Sequence, residues 1–115
     1  MPDFEDLRIV DLVLRFKEDI IDIQERRTAS QFKQASKDLQ AVYNFHLKSK
    51  KSFAVVEDYL KNLYTSFNYA AVIINDALKK KKFEARNSEI LDECLEVMIR
   101  CCDIITVKLT KKKKK

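Results

Sequence analysis

Residues 52–81 read SFAVVEDYLKNLYTSFNYAAVIINDALKKK. Within them Phe53, Val56, Leu60, Leu63, Phe67, Ala70, Ile74 and Ala77 recur at alternating spacings of three and four, which places all eight on one face of an α-helix. No strand pattern of period two runs through the stretch, and neither glycine nor proline interrupts it. A helix this long and this one-sided needs other helices to cover its apolar face, so the spacing predicts an all-α protein.

The rest of the chain supplies those helices. Ile9, Val13, Phe16, Ile20 and Ile23 form a similar stripe in the first segment, opposite Asp11, Arg15, Glu18, Asp22 and Glu25. Phe32, Ala35, Leu39, Val42 and His46 form one in the second, and Leu91, Cys94, Met98, Cys101 and Ile105 one in the last, whose wet stripe is Glu89, Glu93, Glu96, Arg100 and Asp103. The second helix is expected to start at about Thr28 or Ser30. Ser52 is the expected N-cap of the third and Asn87 or Ser88 of the fourth, because a short side-chain oxygen can accept a bond from an orphaned backbone N–H. Residues 104–110 are mostly β-branched, favour strand conformation, and read as a fraying helical end. Helices are therefore expected over about 3–27, 30–48, 52–81 and 88–108. Joined by short polar links, they make an antiparallel up-down-up-down four-helix bundle. The alternative is a three-helix core whose first or last helix packs on another chain.

Composition agrees with that class. Glycine is absent and Pro2 is the sole proline, which removes the usual punctuation of β-hairpins. The 115 residues suffice for one domain and not two, and 46% hydrophobic with 36% charged residues argues against wholesale disorder. We expect a single helical-bundle domain over 1–110 and a flexible basic C-terminal tail, Lys111 to Lys115. The longest apolar run, Tyr69 to Ile74, is six residues, far short of the roughly 18 needed to span a bilayer. The acidic N-terminal stretch does not read as a signal peptide, and no lipidation motif is expected. Cys94, Cys101 and Cys102, an odd set without framework spacing, read as reduced thiols. The expected location is cytoplasmic, with the lysine tail also resembling a nuclear import signal in composition.

Basic clusters end the segments: Arg26-Arg27, Lys48 with Lys50-Lys51, Lys79 to Lys82, and Lys111 to Lys115. Residues 1–110 hold 18 basic and 18 acidic side chains, so the tail carries the whole net charge of +5. Cations at helix C-termini are explained by the helix dipole at about 0.3–1 kcal/mol each. Four consecutive lysines at 79–82 exceed that need. An overhanging third helix, 30 residues against about 20 for the second, would hold them out to a partner. Arg26, Arg27, Lys79, Lys80, Lys81, Lys82 and Arg86 at one end, with Lys111, Lys112 and Lys113 at the other, are the candidate polyanion contacts. Binding through them would be salt-dependent and indifferent to base sequence. A polybasic run without lipidation holds a membrane surface only marginally, so that role is not expected.

A second feature is the lack of any charged residue from Asn62 to Asn75. Beside the main seam of that helix lies another stripe, Val55, Tyr59, Asn62, Ser66, Tyr69 and Ile73. Most simply, both stripes are covered by neighbouring helices of the same chain. The functional reading makes Tyr59, Asn62, Ser66, Tyr69 and Ile73 a surface for a partner protein or a second copy, since tyrosine and asparagine can be buried while keeping a polar tip satisfied.

Catalysis is not expected. The sole histidine, His46, falls on a core stripe and no motif joins it to a cysteine nucleophile. Cys94 and Cys101 read as small core residues. A zinc site lacks a fourth ligand at recognisable spacing, and a di-iron bundle site would need a second histidine. Without glycine there is no phosphate-binding loop. Neither metal nor cofactor is expected. The functional expectation is a non-catalytic interaction or assembly module that binds a partner protein or itself through the uncharged side of the third helix. The alternative is sequence-nonspecific nucleic-acid binding through the basic helix ends and tail.

Overall fold

The computed structural model describes residues 4–26, 28–49, 53–80 and 85–110. These form four α-helices, α1 (Phe4–Glu25), α2 (Ala29–Lys48), α3 (Glu57–Lys80) and α4 (Ala85–Thr110), with a short 3-10 turn, Ala54–Val56, leading into α3. The described residues contain no strand. No helix among them is long and apolar enough to cross a membrane.

One core joins the helices. Ile9, Val13, Phe16, Ile20 and Ile23 of α1 are buried, as are Ala35, Leu39 and Val42 of α2. So are Leu60, Leu63, Phe67, Ala70, Ile74 and Ala77 of α3 and Leu91, Cys94, Met98, Cys101 and Ile105 of α4. The buried set is wider than single stripes: Val10 and Leu12 flank the seam on α1, and Leu95, Cys102 and Leu109 do so on α4. A helix with two packed neighbours must bury an arc and not a line.

The helices do not pack equally. Backbones approach closely where α1 meets α2, where α1 meets α4 and where α3 meets α4. Between α2 and α3 the contact is made by rings: Phe32 stacks on Phe67 at 5.0 Å between centroids, and Tyr43 meets Tyr64 edge-on at 5.2 Å. Large aromatic side chains on facing helices set a wide interaxial separation. Phe67 also meets Phe16 of α1 at 5.7 Å, so its ring links three helices.

The third and fourth helices depart from their expected bounds. The third helix does not begin at residue 52. Phe53 sits in the left-handed region at φ 53°, where glycine would ordinarily stand, and Ala54–Val56 form a 3-10 turn closed by Val56 N–H to Phe53 C=O at 3.0 Å. In a chain without glycine the strain of this corner, about 1–2 kcal/mol, is offset by burying the Phe53 ring against Phe45 and His46. Consequently α3 has 24 residues and α2 has 20. The expected overhang shrinks from about 15 Å to about 6 Å, at 1.5 Å per residue.

The fourth helix begins at Ala85, so Asn87 and Ser88 lie inside it and not at its cap. It runs unbroken to Thr110 in place of a frayed end. Its threonines are accommodated by back-bonding, Thr106 Oγ1 to Cys102 C=O at 2.9 Å and Thr110 Oγ1 to Thr106 C=O at 2.6 Å. The second helix starts where expected, at Ala29, and Thr28 caps it, its Oγ1 accepting from Gln31 N–H at 3.2 Å. Ser52 lies outside the described residues.

Candidate functional site

The uncharged side of α3 divides in two. Ile73 is only 7% exposed and belongs to the core, which removes it from the expected partner surface. Tyr59 and Ser66 are half-buried, and Tyr59 packs against the core under Lys108 of α4, whose Nζ lies 6.0 Å from the ring centroid. Asn62 is exposed, Tyr69 is 54% exposed and Val72 is 66% exposed. A shallow hollow of ≈ 300 Å³ bounded by Val72, Asn75, Asp76 and Lys79 continues this face toward the end of α3. Val72 was legible at position 69 plus three; the displaced stripe that singled out Tyr69 passed beside it.

Between α2 and α3 the ring contacts leave a cleft of ≈ 310 Å³ lined by Ser36, Leu39, Gln40, Tyr43, Tyr64, Phe67 and Asn68. Two of its polar residues are bonded to neighbours outside it. Tyr64 Oη lies 3.2 Å from His46 Nδ1, and Gln40 donates to Asn44 at 3.0 Å. Burial, with the Tyr43 hydroxyl adding to it, raises the Tyr64 phenol above its ordinary range. His46 is thus a half-buried histidine engaged with Tyr64 and Phe53. Its partners are structural rings.

The thiols are similarly placed. Cys94, Cys101 and Cys102 are free and buried. Burial pushes all three up, Cys102 to about 12, and this opposes the thiolate form that a nucleophile needs. Among the described residues no three His, Cys, Asp or Glu side chains converge as metal ligands would.

Of the basic candidates, Arg26, Lys79 and Lys80 are exposed, and Lys80 is held by Asp76 one turn earlier at 3.4 Å. Arg86 lies within α4 by its backbone. Arg27, Lys81, Lys82, Lys111, Lys112 and Lys113 fall outside the described residues.

A set that periodicity on the core side did not single out lies on the outer face of α1. Leu7, Leu14 and Ile21 are 50%, 38% and 38% exposed and stand seven residues apart. The signal was present as an apolar heptad running between the buried stripe and the charged one, on the side of Lys17. No family model, curated protein or solved structure matches this chain.

Proposed function

We propose that the protein is a non-catalytic helical interaction module that binds a partner protein, or a second copy of itself, through the uncharged outer face of α3. The observation carrying this reading is the exposure of Tyr69 and Val72 within residues 62–75, where no charged side chain occurs. A solvent-facing arc of a helix is ordinarily populated by charges. Here the outward positions hold Asn62, Thr65, Tyr69 and Val72, a mixture of ring, aliphatic and amide that suits an interface core with satisfied polar tips.

The architecture proposed for the module is one antiparallel up-down-up-down bundle domain over 1–110, followed by the lysine tail. Cross-helix contacts support it. Asp19, late in α1, faces Asp38 of α2. Phe45 and His46 at the end of α2 pack on Phe53 at the entry to α3. Tyr59 at the start of α3 lies under Lys108 at the end of α4. Each is the pairing that an antiparallel hairpin brings together.

Sedimentation of the wild type and of a Tyr69→Glu/Val72→Glu variant tests the reading. We expect concentration-dependent association, or co-migration with a captured partner, that the variant loses while keeping its helical circular dichroism. A wild type that stays monomeric at high concentration and retains no partner that the variant lacks would sink it.

A further inference from the structure

The outer face of α1 is apolar where it borders α4, and both sides of that border carry carboxylates. Lys17 Nζ reaches Asp103 Oδ1 of α4 at 2.6 Å, which identifies the flank of α1 that faces α4. Leu14 and Ile21 stand three before and four after Lys17 and so share its flank, and Leu7 lies one heptad before Leu14. The opposite flank is turned to α2, where Asp19 meets Asp38. The exposed row Leu7, Leu14 and Ile21 therefore edges the α1–α4 junction, spanning about 21 Å.

Its rims are acidic. On the α1 side Asp11, Glu18 and Glu25 repeat at seven and are exposed. On the α4 side Asp92, Glu96 and Asp103 are exposed, and with the half-buried Ile99 they fall at spacings of four, three and four on one stripe. Asp11 is shared by Arg8 and Arg15 at 3.7 and 3.3 Å, and Asp103 by Lys17. Among the described residues no ion pair engages Glu18, Glu25 or Glu96. Charge balance by sequence runs the same way, with eight acidic and five basic residues in 3–27 and five acidic and two basic in 88–110.

We infer that the α1–α4 junction is a helix-docking groove whose occupant is a basic amphipathic helix of a partner protein. Apolar anchors repeating at seven between two rows of carboxylates are one half of a coiled-coil seam, and the missing half has apolar residues at the core positions and lysine or arginine on both flanks. Charge complementarity selects that partner over an acidic or neutral helix. The groove is separate from the uncharged face of α3, so it stands or falls independently of the function proposed above.

A synthetic peptide of about three heptads, with leucine and isoleucine at the core positions and lysine at the flanks, is the probe; its counterpart carries glutamate at the flanks. Titration calorimetry and two-dimensional NMR of the full chain should show saturable binding of the lysine peptide, with shifts centred on α1 and α4. Leu14→Ser/Ile21→Ser should weaken it about tenfold or more, as truncation of central anchors does. These positions are already exposed, so the fold should persist. Glu18→Lys/Glu96→Lys should move the preference toward the glutamate peptide, and Tyr69→Glu should leave binding unchanged. Equal binding of both peptides, indifference to the leucine and isoleucine substitutions, or shifts centred on α2 and α3 would overturn the proposal. So would self-association that Leu14→Ser/Ile21→Ser abolishes, because the occupant would then be a second copy.

Discussion

Asp19 and Asp38 face one another where α1 packs on α2, beside a small cleft also lined by Asp22, Ser30, Gln31 and Gln34. Asp19 Oδ2 is inaccessible and has no hydrogen-bond partner, since the Gln34 amide spends its donors on Asp38, 3.3 Å from each oxygen. Burial, the facing Asp38 carboxyl and the neighbouring charges of Asp22 and Glu18 push the Asp19 carboxyl up to about 7. The folded state thus holds a proton that the unfolded chain releases near its ordinary value of 3.8. The contribution is complete below that value and is lost as pH rises through about 7. Asp19→Asn should therefore flatten the fall in stability between those two points. Solvent screening at this partly exposed site reduces the expected gain at pH 8 to about 1–2 kcal/mol. Urea denaturation at pH 5 and pH 8 measures it; equal pH dependence in both proteins would refute a proton held at Asp19.

At the scale of elements, α2 is the helix with the least backbone support, because it packs closely on α1 and reaches α3 through rings. Phe67 is the hinge of that arrangement, in contact with Phe32 and Phe16 together. Phe67→Ala should cost about 3–5 kcal/mol, the range for deleting a buried ring. The loss should be uneven. Hydrogen exchange should show protection falling more in α2 than in α4, since α4 keeps its close contacts with both α1 and α3. Uniform loss across the four helices would show that α2 depends on α3 no more than its neighbours do.

The molecule measures 52 × 27 × 20 Å, and its interior is one apolar cluster to which every helix contributes. Three buried thiols report on that interior. Cys102 is fully enclosed and its thiol is the most strongly held in the protonated form, so labelling by an aromatic disulfide reagent should wait for opening of the fold. We expect Cys102 to react at a rate that tracks global unfolding as urea is raised, read by mass spectrometry of the labelled chain. Prompt labelling in buffer would mean that the α1–α4 layer opens locally. The surface is equally legible at this scale. An uncharged face on α3 and an acid-rimmed apolar row at the α1–α4 junction are two chemically different surfaces, and the two proposed contacts rest on them.

Sequence alone determined the helical class and most of the interior. A three-four spacing of apolar residues in a chain with no glycine leaves the backbone little choice, and all eight residues of the deciding stripe in 52–81 are buried. Only tertiary structure decided how those helices end and which second stripes are free. Phe53 departs from the helix because a buried ring outweighs the strain of a left-handed corner, a balance invisible to local propensity. Ile73 and Tyr69 lie four residues apart on one expected surface, yet one is core and the other is exposed. Their difference comes from how the neighbouring helices cover α3, which periodicity within a single helix does not contain. The row at Leu7, Leu14 and Ile21 is apolar in the sequence and exposed in the fold, because two neighbours cover only part of a helix's circumference.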